Sequence, residues 1–221
     1  FMGIGLVEPE DDMRVTNPPT NAQLLDGLAE HFIRSGFDLK DLIRTICTSS
    51  AYRLSSDTNE LNLADTSSYS RYYPKRMQAE VLLDAIDHVM LTQTDFAGVP
   101  PGTRAVQLQD TGFPSYFLDV FGRPAEITAC ECERADEATL AQSLHLLNSK
   151  EIQSKLTSDT GRAASMMVSS QPLDELITEI YLTALSRNPS ESELKATLSY
   201  IAARPERRRE ALEDFIWAIV N

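Results

Sequence analysis

The feature that most constrains this chain is the return of apolar residues at helical spacing between proline and glycine breakers. The first such segment follows Asn17-Pro18-Pro19, with Thr20 as the predicted N-cap and Gln23 completing a capping box. Gly36 marks its end, and a second helix is predicted to start at Asp38. Because the connection is short, the two segments predict an antiparallel helical hairpin. The apolar positions are Leu24, Leu25, Leu28, Phe32 and Ile33, then Leu39, Leu42, Ile43 and Ile46.

The same periodicity recurs along the rest of the chain. A third helix is predicted from about Lys75 to Leu91, and another follows Asp136. Ser190 and Glu193 form a second capping box, and Pro189 and Pro205 separate neighbouring helices. The remaining predicted helices cover 150–157, 161–169, 173–187, 191–204 and 206–220.

Two stretches lack this period. Residues 55–70 are rich in Asn, Asp and Ser and predict a surface loop. An irregular insert near residues 92–134 contains many Gly and Pro residues, and Ala105-Val106-Gln107-Leu108 alternates as a short strand would. The sequence therefore predicts an all-α, bundle-like fold with this insert. We expect one helical domain over residues 1–221, a fragment of a larger multidomain protein.

Composition excludes some functions. The formal net charge is −13, from 33 acidic and 20 basic residues, which disfavours binding to nucleic-acid phosphates. The one dense basic cluster, Arg204 with Arg207, Arg208 and Arg209, is interpreted as a solvated helix face. No apolar run approaches the roughly 18 residues of a membrane-spanning helix. Cys47, Cys130 and Cys132 are too few for a disulfide framework; they predict reduced thiols, or at most one bridge from Cys47 to one of the pair.

Several motifs together resemble one family. They are Gly5-Leu6-Val7-Glu8-Pro9 near the start, Phe121-Gly122-Arg123-Pro124, Cys130-Glu131-Cys132-Glu133-Arg134, and Ser143-Leu144-His145-Leu146-Leu147-Asn148. In this order they resemble the planctomycete-specific domain of unknown function found in proteins that also carry a cytochrome-c-like domain.

This resemblance implies a multidomain protein exported to the periplasm or cell envelope. Its partners would be upstream domains of the same polypeptide, including a cytochrome-c-like domain, and a polysaccharide is a further expected partner. The resemblance implies no established reaction. Haem is expected only in an associated domain and no cofactor in this one, because the chain has no Cys-x-x-Cys-His motif.

The segment Cys130-Glu131-Cys132-Glu133-Arg134 is the sharpest chemical feature. A metal site here would need further ligands, for example His145, and a redox site would need a lowered thiol pKa. The favoured interpretation is structural, with packed thiols and with Glu131 or Glu133 paired to Arg123 or Arg134.

Other candidate catalytic residues are the carboxylates of Asp11 and Asp12 and the imidazole of His145. We therefore predict a non-catalytic accessory or interaction module. The alternative is a hydrolytic or redox enzyme domain with its site around the Cys-Glu-Cys-Glu-Arg segment, and a redox-partner surface for a haem domain is a third hypothesis.

Overall fold

The computed structural model describes residues 1–9, 12–109, 112–124 and 140–221. Within these residues the secondary structure is helical and contains no strand, which confirms the all-α prediction. The chain divides into two compact units, Phe1–Arg76 and Met77–Asn221. The expectation of a single domain stays a prediction.

The first unit contains the predicted helical pair, α1 (Ala22–Arg34) and α2 (Leu39–Thr48), which pack on each other. The predicted cap of α1 is wrong by one residue: Asn21, and not Thr20, accepts the backbone N–H of Leu24. The Thr20 hydroxyl instead donates to the carbonyl of Leu6 at 3.2 Å, and its backbone N–H donates to the same carbonyl at 2.8 Å. Helix α2 was predicted to start at Asp38; it begins at Leu39, and Asp38 is its N-cap, which accepts from the N–H groups of Lys40 and Asp41.

The loop at residues 55–70 is organised by one carboxylate. Asp65 accepts the backbone N–H groups of Ser67 and Ser68 at 3.0 and 2.7 Å. It also accepts the backbone N–H and the hydroxyl of Ser70. These donors favour the charged carboxylate and hold the pKa of Asp65 far below its usual range. The loop is therefore ordered by local polar contacts.

The second unit is a helical assembly built around α3 and α10. Its helices are α3 (Ala79–Met90), α4 (Tyr116–Val120), α5 (Leu140–Asn148), α6 (Lys150–Leu156), α7 (Arg162–Val168), α8 (Leu173–Leu185), α9 (Glu191–Ala202) and α10 (Arg208–Val220). Helix α3 packs on α4, α6, α7 and α8, while α10 packs on α6, α7, α8 and α9. The fully buried side chains include Leu83, Phe117, Ile152, Ile177 and Leu212.

The described part of the insert is more helical than predicted. The alternating segment at 105–108 is not a strand, because Ala105–Gln107 forms a 3-10 helix. The carboxylate of Asp84 on α3 accepts the N–H groups of Ala105 and Val106, which tightens this turn. Helix α4, capped by Ser115, was also not predicted. The Ser190–Glu193 capping box at the start of α9 is confirmed.

Candidate functional site

The residues that the sequence singled out are divided between the two units. Asp12 belongs to the first unit, whereas Arg123 and His145 belong to the second. The acidic-cysteine segment (Cys130, Glu131, Cys132, Glu133 and Arg134) and Asp11 lie outside the described residues. Their metal, redox and structural interpretations stay predictions.

Asp12 forms a closed ion pair. Its two carboxylate oxygens accept Nε and Nη2 of Arg14, each at 2.6 Å, and this bidentate contact lowers the pKa of Asp12. Asn17 closes the same loop by donating to the carbonyls of Glu8 and Asp12, both at 3.0 Å. Asp12 therefore holds a loop together.

Arg123 is also committed to a structural role. Its side chain is only 7% exposed, and Nη2 donates to Asp119 at 2.6 Å. Nη1 donates to the backbone carbonyl of Phe113 at 2.8 Å. Arg123 thus ties the end of α4 to the segment that precedes the helix.

His145 is enclosed by aromatic rings. Its ring centroid lies 5.3 Å from Tyr116, 5.4 Å from Phe117 and 6.1 Å from Phe121. Nε2 is buried and has no hydrogen-bond partner among the described residues, and Glu151 Oε2 lies 3.9 Å away. Burial lowers the pKa of His145, so its imidazole is neutral at pH 7.

The sequence did not reveal the buried ion pair between Asp87 on α3 and Lys155 on α6. Asp87 Oδ1 accepts from the Lys155 ammonium and from the Thr92 hydroxyl. Oδ2 accepts both the N–H and the hydroxyl of Thr94, at 2.9 and 2.7 Å. Lys155 Nζ also donates to the Thr94 hydroxyl at 2.7 Å. The only sequence signal for this pair is Asp87 itself, a charged residue that directly follows Ile86 in a largely apolar helical segment.

This ion pair lies beside a cleft of about 510 Å³. The cleft contains Asp84, Asp87, His88, Thr103 and Arg104 among its lining residues. Both carboxylates already accept several donors: Asp84 caps the 3-10 helix and contacts Arg104, and Asp87 accepts four hydrogen bonds. Asp84 therefore caps the 3-10 helix, and Asp87 links α3 to α6 through Lys155.

Part of the basic cluster is also paired. Arg209 donates to Glu213, to Asp159 and to the Thr157 carbonyl, so this member of the basic cluster connects α10 to the loop between α6 and α7. Cys47 carries a free, half-buried thiol. Across the described ranges, no group of three or more His, Cys, Asp or Glu side chains has a metal-binding arrangement. No helix in that part of the chain is long and apolar enough to cross a membrane.

The comparison with family models matches residues 1–201 to PSD1, described as a protein of unknown function (DUF1553). The chain belongs to the DUF1553 family. No curated protein and no solved structure matches it. Because the DUF1553 description assigns no activity, a function for this member has to be argued from its own surface.

Proposed function

We propose that this chain is a non-catalytic helical interaction module, and that its α1–α2 hairpin binds a neighbouring domain of a longer polypeptide. The observation that carries this proposal is an exposed apolar surface, which we call the hairpin surface. Its residues are Ile33, Phe37, Leu39 and Ile43, with exposed fractions of 60%, 66%, 62% and 41%. Large exposed apolar surfaces commonly mark interaction sites.

The amphipathic pattern of both helices supports this function. Each helix has a pronounced apolar side, yet neither has a buried residue. Leu39 and Ile43 are one turn apart, so they present adjacent side chains on the same face of α2. An amphipathic helix normally buries such a face, and here a partner would bury it.

The connection between the helices supports the same conclusion. Phe37 is exposed although its φ is +64°, in the left-handed region that a bulky side chain rarely adopts. Its ring contacts Phe32 edge-on, with the centroids 5.4 Å apart. The strained backbone keeps a large aromatic ring at the surface, a cost that binding would offset.

The non-catalytic part of the proposal rests on the polar residues. Asp12, Asp84, Asp87 and Arg123 each have their charged groups engaged by several internal partners. The resemblance supports the finer proposals, namely an exported polypeptide of the periplasm or cell envelope, a cytochrome-c-like domain that carries the haem, and a polysaccharide as a further partner.

Hydrogen exchange tests the docking. The chain alone is compared with the longer polypeptide that the resemblance implies, and amides of residues 39–48 are expected to exchange more slowly in the longer form. The double variant Leu39→Glu/Ile43→Glu should remove this protection, because two charges would be buried at the interface.

The matched control is Leu182→Glu/Leu185→Glu on α8, where the two leucines are comparably exposed at 48% and 42%. This control should leave the protection of α2 unchanged. Equal exchange of α2 in both forms would contradict the docking, and saturable turnover of an envelope polysaccharide by the chain alone would contradict the non-catalytic role.

A further inference from the structure

Two hollows in the second unit share one wall. The first, of about 510 Å³, lies between α9 and α10, and the second, of about 290 Å³, lies between α10 and α6. Asp214 and Trp217 line both. We call the two hollows together the Trp217 groove; its other polar lining residues are Thr197, Tyr200, Gln153, Thr157 and Glu213.

The central residue of the groove is a planar aromatic ring. Trp217 is the only tryptophan of the chain, and its side chain is half-buried. The indole N–H has no hydrogen-bond partner among the described residues, and the ring packs against the edge of the apolar core while it lines both hollows. The ring therefore offers an apolar face together with an unused donor.

The polar groups beside the ring are held in place. The Tyr200 hydroxyl donates to Asp214 Oδ2 at 2.6 Å, and the Arg204 guanidinium covers the Tyr200 ring at 3.7 Å. Asp214 Oδ1 has no partner among the described residues, so this exposed carboxylate still has an acceptor to offer. Preorganised acceptors lose little entropy when a ligand binds.

The charges around the groove disfavour ionic ligands. Neither hollow is lined by a Lys, Arg or His residue, so an anion would be repelled by the carboxylate of Asp214. Glu213 is neutralised by Arg209 at 3.0 Å, and Arg204 lies beside Tyr200, which reduces the attraction for a cation. A neutral ligand that can both stack and donate hydrogen bonds fits best.

From this combination we propose that the Trp217 groove binds a neutral oligosaccharide. A sugar ring has an apolar C–H face, which would lie on the indole, and a rim of hydroxyls, which would donate to Asp214 and Gln153. The two adjoining hollows, one on each side of Trp217, would each take one part of the sugar chain. This inference rests on the polysaccharide partner of the proposed function and gives that partner a site. It does not depend on the hairpin docking, because the groove lies in the second unit.

The single tryptophan makes the test direct. The intrinsic fluorescence of the 221-residue chain is titrated with cellohexaose, chitohexaose and mannohexaose, three neutral hexasaccharides. At least one is expected to shift or quench the emission saturably, since Trp217 is the only indole. The hydrogen exchange of α2 measured for the proposed docking is a separate readout, so either proposal can fail alone.

Two variants keep the fluorophore. Asp214→Asn removes the charge of the acceptor, and Tyr200→Phe removes the donor that orients it; each is expected to weaken binding about tenfold. Glu210→Gln is the matched control on α10, because Glu210 is exposed and pairs with Arg207 outside the groove. This control should bind as the original chain does. Circular dichroism melting checks that all three variants are folded.

Three outcomes would overturn the proposal. The first is the absence of a saturable fluorescence change with all three hexasaccharides. The second is a response only to spermine or to polygalacturonate, which would indicate a cation site or an anion site. Equal weakening by Asp214→Asn and Glu210→Gln would show that the contact is not made in the groove.

Discussion

The two units of this chain are stabilised by different kinds of contact. In the described part of Phe1–Arg76, Val7 and Tyr73 are the only buried apolar residues, and order comes from local polar contacts such as those of Asp12 and Asp65. In Met77–Asn221 a continuous apolar core connects the helices, with Leu83 and Phe117 fully buried. A local hydrogen bond contributes about 1 kcal/mol to stability, whereas full burial of an apolar side chain contributes about 1.5–3 kcal/mol.

This difference indicates a division of roles. A unit with little apolar core opens locally at low cost and keeps its apolar surface available. A well-packed unit can hold a preorganised groove. We therefore place protein docking in the first unit and ligand binding in the second.

Two phenylalanines give the sharpest contrast. Phe117 is fully buried and stacks on Phe121 with the centroids 4.3 Å apart, so Phe117→Ala should lower the free energy of unfolding by about 4 kcal/mol. Phe37→Ala in the first unit, at an exposed position, should change it by no more than about 0.5 kcal/mol. Urea denaturation measures both. Similar losses for the two variants would contradict the comparison.

The buried ion pair should be the next most sensitive point. Lys155→Met leaves the charge of Asp87 without its cation and should cost about 3 kcal/mol in urea denaturation. Lys150→Met, at an exposed position of the same helix, is the control and should cost little. The double variant Asp87→Leu/Lys155→Met should recover part of the loss. If Lys155→Met and Lys150→Met have the same free energy of unfolding, the ion pair adds no stability.

Helix caps allow the two units to be compared at equivalent helix positions. Asp38→Ala removes the cap of α2 and Ser190→Ala removes that of α9, each at a cost of about 1 kcal/mol. Because α2 has no buried residue, loss of its cap should raise the rate of amide exchange in α2 about fivefold. In α9 the buried side chain of Ile201 should hold the helix in place, so loss of the cap should raise the exchange rate less. Faster exchange in α9 than in α2 would reverse the comparison.

The smallest expected effect is a pH dependence from His145. Burial lowers its pKa below the ordinary value of 6.5, so the unfolded chain binds a proton more readily than the folded chain does. The free energy of unfolding should therefore fall as the pH drops through 6.5 towards the lowered pKa. His145→Phe should flatten this slope in urea denaturation between pH 7 and pH 5. Tyr116→Phe keeps the ring contact and should retain the slope; an unchanged slope in His145→Phe would contradict the assignment.

Elements with local signals were predictable. The caps at Asp38 and Ser190 act on backbone groups two or three residues away, so the residue types alone indicate them. The cap of α1 was misassigned because Thr20 bonds Leu6, which lies 14 residues earlier. The strand prediction at 105–108 was wrong because the carboxylate of Asp84, more than 20 residues away, accepts the N–H groups of Ala105 and Val106.

The candidate site was much less predictable. Asp12, Arg123 and His145 were selected for their residue type, and the structure places each among internal contacts. The Asp87–Lys155 pair and the Trp217 groove were missed, because their members come from helices distant in the sequence. Nothing in the local pattern distinguishes Trp217 from an ordinary core residue.

The amino-acid sequence is enough to predict the helical class, the approximate helix bounds and the family resemblance, since periodicity and caps depend on near neighbours. Which polar groups are paired, which apolar faces stay exposed and where a groove forms became visible in the three-dimensional structure. Those properties depend on packing between helices such as α6, α9 and α10, and packing brings together residues that the order of the chain keeps apart.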